Sequence, residues 1–257
     1  MGILVDERRI RAVLFDLDGV LVNSIPFHGL AWQWIMRTLG LEVDPLVAPL
    51  TEGLHSRTIA RLIFESANHQ RGLEMDDVAL DELLDRKRAY YRKIVGNLSI
   101  TPEVEAMIRD VRKRFDSIAL VTSTSRENLD HIVTAEQQAL FEAVLWAGSV
   151  TRSKPDPEPY SRAAQMLGMQ AHHCVVIENA PLGIRSARAA GCWCVAITST
   201  MSADRLGEAH LVVENVLELS KDDTWIRLNK LVLSEDSPGL LEPGLDLVDS
   251  IPVRSLE

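Results

Sequence analysis

"AVLFDLDGVL" occupies residues 12–21. It opens as an uninterrupted apolar run and closes on two aspartates, Asp16 and Asp18, separated by a single leucine. A carboxylate carried into an apolar interior without a partner is costly. Either the run ends at Asp16 and both aspartates are solvated, or something positive sits between them. A short apolar run bounded by turn residues reads as a strand buried on both faces.

Five more runs read the same way: "SIALVT" (117–122), "AVLWAG" (143–148), "CVVIE" (174–178), "CWCVAI" (192–197) and "HLVVE" (210–214). Helical patterns separate most of them. "PEVEAMIRDVRKRF" (102–115) follows Thr101 as a candidate N-cap and carries Pro102 at its first position. "PEPYSRAAQMLG" (157–168) and "PLGIRSARAAG" (181–191) end at glycines, a common helix stop. Strand alternating with helix predicts an α/β fold with a Rossmann-like, doubly wound parallel sheet. Such sheets bind ligands at the carboxyl ends of their strands.

Residues 24–96 break the alternation. "PFHGLAWQWIMRTLG", "SRTIARLIFESAN" and "DDVALDELLDRKRAYYRKIV" have helical periodicity, and no strand is expected among them. The division that follows is a core over residues 1–22 and 97–220, a small all-helical cap over 23–96 inserted after the first strand, and a tail over 221–257. In the tail, "DTWIRLNKLVLS" reads as a helix or a strand. The stretch from Glu235 onward, rich in Pro, Gly and acids, reads as loose. Trp225, Leu228 and Leu231 would dock on the core or on a second chain, and a monomer is the plainer expectation.

Of the 257 residues, 46% are hydrophobic and 25% charged, and the formal net charge is -10. That is globular composition without the basic footprint of a nucleic-acid binder. No apolar run has the length of a membrane span. "MGILVDERRIR" lacks an apolar stretch followed by a small-residue cleavage site, so a cytoplasmic location is expected. The cysteines are Cys174, Cys192 and Cys194, an odd count without C-x-x-C spacing, which suits a reducing compartment. Cys192 and Cys194 share one face of a strand, as buried thiols or as a metal-ligand pair.

The strand ends carry the chemistry. Asp16 and Asp18 follow the first strand, Thr122 ends the second, Lys154 follows the third in "SKPDPEPY", and Glu178 and Asn179 end the fourth. In a parallel sheet these residues meet at one edge. Phosphoryl transfer needs this set. One carboxylate attacks phosphorus, and a second moves the proton. An ammonium and a hydroxyl hold the phosphoryl oxygens, and Mg²⁺ binds through carboxylates plus phosphate.

These residues carry a resemblance. "FDLDGVLVNS", the Thr of "ALVTSTS", the Lys of "SKPDPEPY" and "VVIENAPLGIRSARAAG" resemble the four motifs of the haloacid dehalogenase superfamily, over residues 11 to 215. The helical insert is similar to that family's first type of cap. The resemblance implies that Asp16 is the nucleophile and a metal ligand. It implies that Asp18 is the general acid/base, with its backbone carbonyl on the metal, and that Thr122 and Lys154 hold the phosphoryl group. Mg²⁺ is the implied cofactor, held by Asp16, Asp18, Glu178 and Asn179. Relatives usually carry Glu-Asp where this chain has Glu178-Asn179, which removes one negative charge beside the cation.

Within the superfamily the chain looks most like β-phosphoglucomutase and related sugar-phosphate phosphatases. His28 and Lys87 fall where the mutase has a histidine near its acid/base and a cap lysine; otherwise they belong to amphipathic helix faces. Arg57, or its neighbour Ser56, falls near a phosphate-gripping cap arginine. Thr124 and Arg126 fall near the mutase's distal phosphate. With Gly19 and Ser123 these complete the expected substrate-binding set. The implied function is a Mg²⁺-dependent phosphatase on a small phosphorylated metabolite, with a phosphomutase as the alternative. A non-catalytic binding protein is the third reading, and neither nucleic acid nor membrane is an expected partner.

Overall fold

The computed structural model describes residues 10–71, 75–234, 238–240 and 253–255, the last three and residues 68–71 by backbone alone. The chain order is β1 (Ala12–Phe15), α1 (Ile25–Arg37), β2 (Leu41–Val43), α2 (Val47–Leu50), α3 (Ser56–Arg71), α4 (Asp77–Val95) and α5 (Pro102–Arg114). Then come β3 (Ser117–Val121), α6 (Arg126–Ile132), α7 (Ala135–Gln138), β4 (Ala143–Leu145), α8 (Glu158–Met166) and β5 (Cys174–Glu178). The chain continues through α9 (Pro181–Ala189), β6 (Trp193–Ile197), β7 (Leu211–Val213), α10 (Asp222–Ser234) and β8 (Val253–Ser255).

Six strands form one parallel sheet in the order β4-β3-β1-β5-β6-β7. All six expected strands are in it. The first strand lies at the centre because its four residues are fully buried and can face protein on both sides. Val13 and Phe15 join a cluster with Met107, Ile108 and Val111 of α5 and Leu129 of α6. Ala12 and Leu14 point the other way, onto Tyr160 and Ala163 of α8 and Ile184 and Ala187 of α9. The period-2 alternation of a strand thus divides a continuous apolar run between two helical layers. From β1 the chain moves outward through β3 to β4, then crosses back to β5 on the other side of β1. The site lies at this reversal of strand order, where such sheets open a crevice.

Phe15 pairs in register with Leu120 and with Ile177, so Asp16, Val121 and Glu178 lie level at the carboxyl edge. Helix α5 begins as expected: the Thr101 side chain accepts from the Val104 N–H and Pro102 occupies the first turn.

The insert is helical, with one departure. Helices α1, α3 and α4 pack around Trp32, Ile35, Met36, Ile59, Ile63, Leu80, Leu83 and Leu84. Between α1 and α2, however, residues 41–43 form a strand, antiparallel to β8 from the far end of the chain. The expectation of a strand-free insert is corrected here, and the tail read as loose contributes a strand at residues 253–255. Three residues carry too little periodicity to read as a strand, and the pairing that defines this one is with residues more than two hundred positions away.

The ambiguous tail segment is α10, a helix that docks on the core. Trp225, Leu228 and Val232 are buried in the cluster under the sheet, and Leu231 packs against it. The Trp225 ring meets Phe115 edge-on at 4.8 Å, and its Nε1 donates to the Leu219 carbonyl at 2.7 Å. All three cysteines are buried and free. Among the described residues, no helix is long and apolar enough to cross a membrane.

Candidate active site

Asp16 sits one residue past the end of β1, its N–H donating to the Ile177 carbonyl at 3.0 Å. Its Oδ1 accepts from Lys154 Nζ at 2.5 Å, and its Oδ2 is buried without a hydrogen-bond partner. Burial pushes the Asp16 carboxyl well up; Lys154 opposes this, and Glu178 and Asp18 add to it. Burial also works against the Lys154 ammonium, but the Asp16 and Glu178 carboxylates outweigh it and hold the group charged.

Glu178 was expected among the metal ligands, yet its oxygens are engaged elsewhere. Oε1 accepts from Lys154 at 2.6 Å and from the Tyr160 hydroxyl at 2.6 Å. Oε2 accepts from the N–H of Asn179 at 2.9 Å and of Ala180 at 3.3 Å, at the start of α9. That geometry makes Glu178 the group that aims Lys154 at Asp16. It depends on Gly183, because a Cβ there would lie 1.8 Å from Glu178 Oε1.

Asp18 leads into the tight turn through Gly19, whose φ of +80° suits glycine and whose absent Cβ leaves room for the Asn179 amide. Oδ1 of Asp18 accepts from Ser24 Oγ at 2.5 Å and from His28 Nε2 at 3.3 Å; Oδ2 accepts from Thr122 Oγ1 at 3.1 Å. Ser24 stands at the N-cap of α1 but makes no side-chain cap bond, its hydroxyl being turned to Asp18 instead. Burial raises the Asp18 carboxyl, but the bond and charge from His28 and the bonds from Ser24 and Thr122 leave it below the ordinary range.

Behind Asp18 runs a chain into the cap. Lys87 Nζ donates to His28 Nδ1 at 3.3 Å and stands over the Trp32 ring at 4.6 Å, while His28 stacks on Tyr91 at 4.1 Å. Burial brings the Lys87 ammonium down to about 7, against the pull of Asp18, with Arg88 adding to the fall. Burial and Lys87 also lower His28, so its neutral ring accepts at Nδ1 and donates at Nε2.

These groups surround a cavity of about 250 Å³ between core and cap. Asp16, Asp18, His28, Arg57, Lys87, Ser123 and Thr124 line it. Thr122, Lys154, Glu178 and Asn179 stand behind that lining. Arg57 is also tied to the cap carboxylates Asp77 (2.8 Å) and Asp81. Arg126 is not brought to the cavity: its side chain pairs with Asp130 on the exposed face of α6, four residues on. Gly19 is not in the lining and serves the turn. The cap is held shut by Ser123 Oγ donating to the Gly53 carbonyl at 2.7 Å and by Asn179 Nδ2 donating to Glu52 Oε1 at 2.8 Å.

Sequence reading missed four residues here. Ser24 and Tyr160 lie inside quoted motifs but look like a cap residue and a core aromatic. His55, whose Nε2 is buried without a partner, lies in the cavity wall. Glu52 was the most findable: an acid in the cap, in a chain that lacks an expected acid at position 179.

A family model described as haloacid dehalogenase-like hydrolase matches residues 10–191. The chain belongs to that family. Among curated proteins, this haloacid dehalogenase-like hydrolase is 29% identical over 212 residues to validoxylamine A 7'-phosphate phosphatase of Streptomyces hygroscopicus subsp. limoneus, covering 81% of this chain and 95% of the relative. It is 29% identical over 212 residues to hexitol phosphatase A of Escherichia coli (strain K12), covering 82% and 94%. Among solved structures, a putative β-phosphoglucomutase from Bacteroides vulgatus superposes with a TM-score of 0.73 at 26% identity, over 88% of this chain and 92% of that one.

Proposed function

We propose that the protein is a phosphatase that hydrolyses a small phosphorylated metabolite, a sugar phosphate, through a phosphoryl group carried on Asp16. The observation that carries this is the Asp16 carboxylate at the cavity wall, with one oxygen on Lys154 and the other without a partner. An oxygen of Asp16 attacks phosphorus, and the bond from phosphorus to the sugar oxygen breaks. Asp18, a carboxylate at rest, passes to that leaving oxygen a proton received from His28 Nε2, which Lys87 replaces at Nδ1. Water then attacks phosphorus, Asp18 takes its proton, the bond to Asp16 breaks and inorganic phosphate leaves. Lys154 and Thr122 offset the phosphoryl charge. The chain Lys87–His28–Asp18 holds and orients the proton-carrying carboxyl.

Mg²⁺ fits the donors present. The buried oxygens Asp16 Oδ2 and Asn179 Oδ1 both lack hydrogen-bond partners, as a hard cation's ligands would in its absence. No cluster of three His, Cys, Asp or Glu side chains suited to an ion occurs among the described residues, so an amide and a backbone carbonyl must contribute. Asp16, Asn179 and the Asp18 carbonyl would hold the ion, which neutralises phosphoryl charge when bound. The relatives named as phosphatases support a phosphate ester as substrate. The cavity of about 250 Å³, with His55 Nε2 free for a hydroxyl, supports a small polar one.

The phosphomutase reading is favoured by one feature, the Lys87–His28–Asp18 chain, which falls where the mutase resemblance puts its own histidine and lysine. The test is phosphate release over a panel of sugar and nucleotide monophosphates, with and without Mg²⁺, beside Asp16→Asn. Mg²⁺-dependent release that vanishes in the variant is expected. Isomerisation with a bisphosphate activator and little free phosphate would favour the mutase. Equal release from Asp16→Asn would remove the proposal.

A further inference from the structure

We propose that Glu52, carried by the cap, supplies the carboxylate that Asn179 lacks, so that the cation site has its full charge when the cap is closed. The inference rests on the cation reading above and adds a ligand-side residue from the other side of the cavity.

Three observations meet here. Glu52 Oε1 accepts from Asn179 Nδ2 at 2.8 Å, across the boundary between cap and core. Its other oxygen, Oε2, is buried and has no partner, like Asp16 Oδ2 and Asn179 Oδ1. Asn179 Nδ2 also donates to Thr200 Oγ1 at 2.9 Å, so both donor contacts fix the amide and leave Oδ1 free. Three partnerless buried oxygens on residues joined to one site are a poor use of a dry interior unless a positive group meets them. Lys154 does not serve: its bonds go to Asp16 Oδ1 and Glu178 Oε1.

The arrangement also explains the asparagine. An aspartate at 179 would set two carboxylates at hydrogen-bond distance with no proton donor between them. The amide lets Glu52 approach and keeps an oxygen for the ion. The negative charge has moved from core to cap, and it reaches the site only when the cap is down.

Glu52→Gln isolates the charge, because a glutamine oxygen can still accept from Asn179. Mn²⁺ binding is followed by paramagnetic resonance titration of the full chain for wild type, Glu52→Gln, the double variant Glu52→Gln/Asn179→Asp, and Asp16→Asn. Amide exchange of residues 51–56 is followed with and without Mn²⁺. Glu52→Gln is expected to weaken binding about 10- to 100-fold, as loss of a carboxylate next to a metal does. The double variant, with the charge returned to the core, should recover most of that loss. Mn²⁺ should slow exchange of residues 51–56 in wild type and leave it unchanged in the double variant. Binding by Glu52→Gln within twofold of wild type would overturn the role of Glu52 and leave the cation reading intact. No saturable wild-type binding that Asp16→Asn removes would overturn both.

Discussion

At the scale of single residues, the site sets the buried Lys154 ammonium between two carboxylates, Asp16 and Glu178. Lys154 belongs to Asp16 because Glu178 holds it there, and Glu178 can do so because residue 183 has no side chain. Gly183→Ala should therefore cost activity far more than an exposed change would. A Cβ 1.8 Å from the Glu178 carboxylate must displace it, and a misplacement of about 1 Å costs about a hundredfold in rate. Steady-state kinetics beside a check of folding tests this; an unaltered kcat would contradict the role given to Glu178. Lys87 sets a pH signature. The folded protein holds its ammonium near 7 and the unfolded chain near 10.5. Between those values the unfolded chain binds more protons, so this group makes unfolding free energy rise with pH across that window. Its cost is fully present below pH 7. Urea titrations from pH 7 to 10 should show a steeper rise for wild type than for Lys87→Met, and equal slopes would contradict the burial of a charged amine. Asp16, Asp18, Thr122 and Lys154 were legible because strand ends in a parallel sheet converge. His55 was not, because which cap side chains face the core is decided by how two bodies close, a relation that no local pattern encodes.

At the scale of elements, the sheet and most helices were legible from apolar runs and caps. The strands β1, β3, β4, β5, β6 and β7 are each short, buried and bounded by turn residues, which gives the pattern a single reading. Helix α10 was ambiguous because "TWIRLNKLVLS" alternates and repeats at helical spacing at once. Trp225 decides it by reaching Phe115 and the Leu219 carbonyl, a tertiary outcome. The pair β2–β8 was illegible for a stronger reason: each strand is three residues, and each exists by virtue of the other. Removing residues 253–257 should therefore speed amide exchange at residues 41–43 and leave protection in β1 and β5 unchanged. Unchanged exchange at 41–43 would mean the pairing does not hold the cap strand.

At the scale of the whole molecule, a core that carries Asp16, Asp18 and Lys154 is covered by a cap that carries His28, Glu52, His55, Arg57 and Lys87. One apolar cluster holds the cap helices together, the core cluster takes in Ala31, Tyr91 and Val95 of α1 and α4, and polar bonds such as Ser123 to Gly53 and Asn179 to Glu52 join the two parts across the cavity. The proposed reaction needs this cover to open, to admit substrate and to release phosphate. In the proposed reaction the cap over the cavity also limits water while phosphorus is on Asp16. The measurement that reaches this chemistry most directly is the mass of the acid-quenched protein after brief exposure to acetyl phosphate and Mg²⁺. A gain of one phosphoryl group, mapped to Asp16 and absent from Asp16→Asn, is the predicted result. A phosphoryl group on another residue, or phosphate release by a wild-type enzyme that never carries one, would contradict it.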